Sequence, residues 1–421
     1  MTRVILGDIA ISQTGPFGSQ LHEEDYVSEG TPIVTVEHLG DTNFTHQNLP
    51  FISEADTKRL SKYILIEGDI VFSRVGSIDR NVYVDKNHEG WMFSGRCIRV
   101  RADKNKVNPR YLSYYFKQNS FKKMMMNLAV GATMPSLNTK IMNSIELDLL
   151  PRESQDKIAN ILSAIDDKIQ INNQINQELE AMAKTLYDYW FVQFDFPDQN
   201  GNPYKSSGGK MVYSPELKRE IPEGWGVETL KDFESKIITG KTPSRANSDN
   251  FGGEIPFITI GDIRGNTFIY NTSETLTDLG ASVQQNKYLP EGSLCVSCIA
   301  TVGEIGFTTE WSHTNQQINS IVFEDETNRY YLYFALKNYF ENANASAKTG
   351  NTFANMNKED FSGIRIILPR NEIKNNFHKM TEPYFAQIKC LQGQNQELTQ
   401  LRDWLLPMLM NGQVKVQDFT I

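Results

Sequence analysis

Two patterns of apolar spacing divide the chain. Short β-branched runs bounded by Gly, Pro or polar turns predict strands at Ile33–Val36, Asp69–Phe72, Ile98–Arg101, Phe257–Ile260 and Ile364–Leu368. A helical period predicts helices over Tyr111–Met126 and Tyr330–Asn342. Two longer stretches carry a different beat. From Ile158, apolar residues at Ile161 or Leu162, Ile165, Ile169, Ile175, Leu179, Met182, Leu186 and Trp190 recur about every 3.5 residues, the coiled-coil period, with Asn172 as the polar interruption. The second stretch offers Ile373, Phe377, Met380, Tyr384, Leu391, Leu398, Leu401, Leu405 and Met408, with Pro383 and Pro407 expected to kink it. An Asn in such a seam costs stability but fixes register. A helix of about 35 to 40 residues is a rod of roughly 55 to 60 Å, longer than a compact domain needs. The competing reading of both stretches is two ordinary core helices.

The pattern is used twice. Gly30-Thr-Pro-Ile-Val-Thr-Val36 returns as Glu254-Ile-Pro-Phe-Ile-Thr-Ile260, Glu67-Gly-Asp-Ile-Val-Phe-Ser73 as Glu291-Gly-Ser-Leu-Cys-Val-Ser297, and Leu6-Gly-Asp-Ile9 as Leu230-Lys-Asp-Phe233, all at one offset. Farther on the offset drifts, as loop insertions and deletions would make it. Asn108-Pro-Arg-Tyr-Leu112 resembles Asn328-Arg-Tyr-Tyr-Leu332, and Gly131-Ala-Thr-Met134 with Leu137-Asn138 resembles Gly350-Asn-Thr-Phe353 with Met356-Asn357. Each copy reaches a proline, Pro151 or Pro369, and then a long helix in which Asn176-Gln-Glu-Leu179 matches Asn395-Gln-Glu-Leu398. The expected plan is an α+β fold with an internal pseudo-twofold repeat: globular units at 1–150 and 226–370, helices at 151–195 and 371–412, a linker at 196–225 rich in Pro, Gly, Asn and Ser, and a tail at 413–421.

Composition narrows the class. With 39% hydrophobic and 22% charged residues the chain is ordinary globular protein. No apolar run approaches the roughly 18 residues of a membrane span, and Arg3 and Asp8 interrupt the opening, unlike a secretory signal. Four cysteines without framework spacing suit a reducing cytoplasm, the expected location. The formal net charge of −9 argues against a protein that coats nucleic acid by charge alone. Residues 1–150 are balanced, however, and the acid excess lies in 151–370, so local Arg and Lys loops stay available.

At several segments the chain resembles the specificity subunit of type I DNA restriction-modification systems. These are Thr14-Gly-Pro-Phe-Gly-Ser19, Thr239-Gly-Lys-Thr-Pro-Ser244 with Gly253-Glu-Ile-Pro-Phe257, Ile221-Pro-Glu-Gly-Trp225, Trp190-Phe-Val-Gln-Phe194 with Asp195, and Leu401-Arg-Asp-Trp-Leu-Leu-Pro-Met-Leu409 followed by Asn411-Gly412. The resemblance runs through nearly the whole chain. It implies a non-catalytic reader: two target-recognition domains, each reading one half of a split sequence in double-stranded DNA, held apart by two antiparallel helices. It further implies two methyltransferase subunits packed on those helices, and motor-nuclease subunits completing the complex. S-adenosylmethionine, ATP and Mg²⁺ would bind those partners, and no cofactor or metal this chain. Half-sites about one helical turn apart, roughly 34 Å, would suit a rod of this length. The seam residues expected at the subunit interface are Ile165, Ile169, Leu179, Leu186, Trp190, Leu391, Leu398, Leu401 and Leu405.

DNA contacts are expected on polar loops at strand ends. In the first unit the candidates are Ser19, Gln20, His38, Ser73, Arg74, Ser77, Arg80, Arg96, Thr133, Ser136 and Asn138, with Arg99, Arg101, Lys104 and Lys106 joining Arg96 in a phosphate track. In the second they are Lys241, Ser244, Arg245, Asp262, Arg264, Ser297, Thr301, Gln316, Asn351, Thr352, Asn355 and Asn357. The second set is poorer in Arg and richer in Asn, Gln and Thr. Since Asn and Gln pair with adenine, that half is expected to read A·T-rich bases. Solvated charged faces are the competing reading for each cation.

Other chemistry is poorly supported. The chain has no Pro-Pro pair, so it lacks the Asn/Asp-Pro-Pro-aromatic motif of DNA methyltransferases. Gly240-Lys-Thr242 imitates the end of a P-loop, but the first glycine of that motif would fall on Ser235. Asp198 with Glu216-Leu-Lys218 loosely matches a metal-dependent nuclease, yet its acids flank a linker. Cys295-Val-Ser-Cys298 lacks the second pair a zinc site needs and the helix opening a redox pair needs. Another multi-subunit restriction or methylation system, a nuclease and a coiled-coil scaffold are the alternatives carried forward.

Overall fold

The computed structural model describes residues 1–16, 18–129, 136–347 and 355–414, without the side chains of residues 19, 23 and 344–347. The chain forms two compact units, Met1–Ile169 with Leu398–Ile421, and Gln170–Glu397.

The first unit is organised around Asp69–Ser73, a strand whose five residues are all buried. It sits between Cys97–Ala102 and Asn81–Tyr83 in an antiparallel sheet that Ala10–Thr14 extends. Alternation decides what each face covers. Ile70 and Phe72 pack with Ile98, Val100, Tyr111, Leu112 and Phe116, while Val71 points the other way, toward Val82, Cys97, Ile33 and Phe93. That second face is closed by a smaller sheet in which Thr31–Val34 runs parallel to Met92–Phe93. Thr2–Ile5 pairs with Glu146–Leu149 to shut the unit.

The second unit repeats the arrangement around its central strand, with Phe268–Ile269 as a fifth strand of the larger sheet and three strands instead of four in the smaller one. Leu294–Ser297 takes the place of Asp69–Ser73, between Ile318–Ile321 and Ile305–Thr308, with Ile237–Thr239 at one edge. Phe257 and Ile258 run parallel to His313 and Thr314, and Gly226–Thr229 pairs with Arg365–Leu368. Even the entry bond recurs: Leu6 N–H donates to Ile145 O, and Leu230 N–H to Ile364 O, both at 2.8 Å.

The long helices run Arg152–Tyr187, ending in a π-helical turn at Asp188–Val192, and Asn371–Met410, which continues through Pro383 and Pro407. Each unit takes the start of one helix and the end of the other. Ile158 and Leu162 share the first unit's core with Leu409 and Met410, and Ala183 and Tyr187 share the second unit's core with Phe377 and Phe385. The helices are therefore antiparallel within each unit. No described helix is long and apolar enough to cross a membrane.

Three expectations are corrected. The strands foreseen at Ile33–Val36 and Phe257–Ile260 end at Val34 and Ile258, because Thr35 and Thr259 each open a helical turn with a capping box. The helix foreseen over Tyr111–Met126 is two, Pro109–Lys117 and Asn119–Leu128, broken where Gln118 turns extended. The 196–225 segment is a folded piece and not a slack linker. It contains the hairpin Met211–Ser214 with Arg219–Pro222, and Phe196 stacks on Tyr204 at 4.7 Å and on Trp225 at 4.9 Å.

Candidate nucleic-acid interface

The loop after the central strand is held by corresponding backbone bonds in the two units. Ser73 Oγ donates to Val75 O, and Ser297 Oγ to Thr301 O, each closing a tight turn from a fully buried position. One residue on, Arg74 N–H donates to Arg96 O, and Leu137 N–H returns a bond to Arg74 O. In the second unit Cys298 N–H donates to Gln317 O, and Met356 N–H to Cys298 O. The backbone thus gathers three loops in each half: 73–80, 94–97 and 136–138 in one, 297–304, 315–317 and 355–357 in the other.

On the first unit's edge, Ser77, Arg80, Arg96 and Asn138 are exposed. Arg80 and Arg96 have no side-chain partner among the described residues, so both guanidinium groups stay available to phosphate or guanine. Arg74 is occupied otherwise: its guanidinium donates to Leu137 O and Gly95 O, tying the three loops together. Asn138 caps the helix at Thr139–Asn143 through Ile141 N–H. Ser136 pairs by backbone with Val75, and Gln20 accepts from Tyr63 Oη. Thr133 and the side chain of Ser19 lie outside the described residues, as do Asn351 and Thr352. Two members of the expected phosphate track, Arg99 and Arg101, turn inward, while Arg96, Lys104 and Lys106 stay exposed. Arg99 donates to Lys62 O and Ile64 O, Arg101 grips the buried Asp69 through two bonds of 2.7 Å, and Lys106 donates to Asp8 O.

The second unit spends its arginines internally. Arg245 forms a two-pronged pair with Glu274 at 2.7 Å, and Arg264 donates to Glu304 and Thr301. Lys241, Ser244, Thr301, Gln316, Asn355 and Asn357 remain exposed, although Gln316 accepts from Thr242, Asn355 from Ala300 N–H, and Asn357 caps Lys358–Ser362. Four expected contacts turn out to hold the scaffold. Ser73 and Ser297 have no exposed surface. His38 and Asp262 occupy one position of the repeat and do one job: His38 Nδ1 accepts from Thr35 N–H at 3.1 Å, and Asp262 from Thr259 N–H at 2.7 Å. Asp262 also accepts from Ser273 N–H, while His38 lies wholly buried with Nε2 on Gln47 O. No local pattern marks Glu274 and Glu304 as the partners of Arg245 and Arg264, since each lies far off along the chain.

The type I restriction modification DNA specificity domain matches twice, over residues 2–181 and 222–400. The chain belongs to this family. It is 32% identical to the type I restriction enzyme HindI specificity subunit of Haemophilus influenzae, over 91% of this chain and 95% of that protein. It is 27% identical to the MjaIX specificity subunit of Methanocaldococcus jannaschii, over 94% and 89%. The crystal structure of a type I restriction-modification S subunit from M. genitalium shares the fold, with a TM-score of 0.52 at 14% identity, covering 100% of this chain and 96% of that one.

In this specificity subunit the helical seam is largely used up within the units. Trp190 and Leu391 are buried, Leu179 and Leu186 pack against the second unit's core, and Leu405 against the first's. Ile165, Ile169 and Leu398 are half-buried, and Leu401 is exposed. The apolar side chains left outward include Ile171, Ile175, Met182, Tyr189 and Met380 on the second unit's helices, and Trp404 and Leu401 on the first's. Ile175, Met182, Met380 and Leu401 belong to the counted stripe and Ile171 and Trp404 do not, so period marks which residues share a stripe but not which of them are buried.

The other motifs resolve into structure. Gly240 packs so tightly that a Cβ would meet Asn315 O at 2.1 Å, and Lys241 N–H is spent on Thr314 O, so the loop's amides do not form a phosphate cradle. Asp198 Oδ1 closes a turn by accepting from Asn200 and Asn202 N–H, and Glu216 accepts from Ser214. Burial pushes the Cys295 thiol up to about 12 and the Cys298 thiol up to about 11, the opposite of a redox pair. Among the described residues no three His, Cys, Asp or Glu side chains are grouped to hold a metal.

Proposed function

We propose that the two units are target-recognition domains that each read one half of a bipartite sequence in double-stranded DNA, within a type I complex. The observation that carries this reading is the three-loop edge that corresponding backbone bonds close in both units around Arg74 and Cys298. The framework is held constant by buried bonds, while the outward residues differ, Arg80 and Arg96 on one edge against Lys241, Gln316 and Asn355 on the other. Two readers of one design with different surfaces suit two different half-sites.

The partners in this reading are two methyltransferase subunits on the long helices and motor-nuclease subunits beyond them, working in the cytoplasm. S-adenosylmethionine, ATP and Mg²⁺ belong to those partners. The second edge, with its arginines paired to Glu274 and Glu304, leaves amides and hydroxyls outward, which supports A·T-rich reading there.

The test is to map methylated adenines in DNA exposed to the reconstituted methyltransferase. Replacing residues 1–150 with the matching segment of a relative should change one half of the motif and leave the other. A change in both halves, or in neither, overturns the assignment of one unit to each half-site.

A further inference from the structure

The repeat breaks at one half-buried charge. Lys117 follows Asn108 at the same spacing as Lys337 follows Asn328, so the two lysines are equivalent. Lys337 is paired: Glu180, on the first long helix, accepts from its ammonium group, from Tyr333 Oη at 2.7 Å and from Thr267 Oγ1 at 3.2 Å. Burial works against the Glu180 carboxyl, yet the Lys337 ammonium holds it below the ordinary range. In the first unit the residue equivalent to Glu180 is on the other helix. There Asn395-Gln-Glu-Leu398 is followed by Thr399, where Asn176-Gln-Glu-Leu179 is followed by Glu180.

Lys117 is therefore left without a carboxylate. Among the described residues it makes no hydrogen bond or ion pair, and its ammonium lies 5.8 Å from the Tyr114 ring centroid. The nearby Asp166 is already taken by Tyr114 Oη at 2.5 Å and Arg402 at 3.0 Å. Burial, with Arg402 and Arg110 adding repulsion, pulls the Lys117 ammonium down to about 8 against the pull of Asp166 and Asp41. The two cavities correspond as well. Glu180, Lys337, Gly265 and Asn266 line one of about 220 Å³, and Lys117 lines one of about 560 Å³ with Asp41 and Thr42, the equivalents of that Gly-Asn pair. Lys122 and Arg402 add two cations to the larger cavity, and Asp403, paired with Arg402, joins Asp41 as its second anion. It also holds Asn119 and Ser120, the first turn of a ten-residue helix whose N-cap, Gln118, supplies no side-chain cap.

We propose that the first unit's cavity is a binding site for a carboxylate, with Lys117 as its counter-ion. The ligand does from outside the unit what Glu180 does for Lys337 from within it. A free small carboxylate and an acidic side chain of a partner subunit share this chemistry.

The first arm follows the Lys117 ε-carbon signal in full-length chain carrying ¹³C-lysine, assigned by its loss in Lys117→Arg. Sodium acetate, against sodium chloride at equal ionic strength, should raise the Lys117 titration midpoint by about one unit or more. Thr399→Glu should raise it without acetate and abolish the acetate response. An unmoved midpoint in acetate, or a response to inorganic phosphate and none to acetate, overturns the proposal. The second arm, which rests on the assembly proposed above, repeats the titration with the methyltransferase subunit bound. If a partner side chain is the source, assembly alone raises the midpoint and Thr399→Glu weakens assembly tenfold or more. If assembly changes neither, the partner source is overturned and the acetate result identifies a free carboxylate.

Discussion

Asn172 meets Asn395 across the two long helices of the second unit, its side-chain amide donating to Asn395 Oδ1 at 2.8 Å and to Gln394 Oε1 at the same distance. Asn395 in turn donates to Asn173. Asn172 is fully buried, so this polar layer replaces apolar packing at the centre of a seam. Asn172→Ala removes both hydrogen bonds and leaves a gap at a fully buried position, and is expected to destabilise the chain by about 1–3 kcal/mol. Asn172→Leu is expected to cost less, yet to loosen helix register, because the layer pairs in one alignment only. Urea unfolding gives the first number, and cross-linking between cysteines placed along the two helices reads the register.

The arginines of the two units should behave oppositely in DNA binding. Arg80→Ala and Arg96→Ala each remove an uncommitted guanidinium, and each should weaken binding by the assembled methyltransferase. Where the contact is to phosphate, the salt slope should fall by about one. Arg245→Ala and Arg264→Ala remove groups already paired to Glu274 and Glu304, and should change binding far less. Affinity measured at several salt concentrations separates the two classes. Equal losses from all four would refute the distinction.

Asp262→Ala should lower stability by about 1 kcal/mol, the usual cost of a lost cap, without altering the sequence that is methylated. A changed methylation motif would return Asp262 to the reading surface.

Acid should weaken the second unit through His313. This ring is fully buried beside Tyr288, with neither nitrogen hydrogen-bonded among the described residues, and burial pulls it down to about 4. Between about pH 6.5 and 4 the unfolded chain binds a proton that the folded chain refuses, so stability is full above that window and falls through it as pH drops. His313→Phe should flatten the pH dependence there, as read by urea midpoints at pH 7 and pH 5.

Thiol labelling should distinguish one cysteine from three. Cys97, Cys295 and Cys298 are buried and Cys390 is exposed. At pH 8 the native chain should react once with a bulky thiol reagent, and with three further thiols only in denaturant. Fast reaction of Cys295 or Cys298 would reopen the redox reading.

The repeat was legible because both copies must fill the same core. Ile70 and Phe72 in one unit, and Leu294 and Val296 in the other, obey the same alternation. What escaped were positions where a polar residue serves the backbone. A buried serine such as Ser73 and an exposed one such as Ser77 read alike in a sequence, and only the turn closed by Ser73 separates them. Thr35 with His38 and Thr259 with Asp262 are capping pairs at ordinary spacing, but His38 is an unusual partner and the strand pattern around it ran on past Val34. Pairing across distance, as in Arg245 with Glu274, leaves no local trace. The seam was visible by period, but the number of neighbours competing for each apolar side chain was not.

The first unit's core takes Leu409 and Met410, which leave the ribosome after every residue of Gln170–Glu397 has been made. The second unit can therefore finish folding while the first still waits for its last helix turns. A stop codon between those for Glu397 and Leu409 would spare the later-encoded reader and cripple the earlier one.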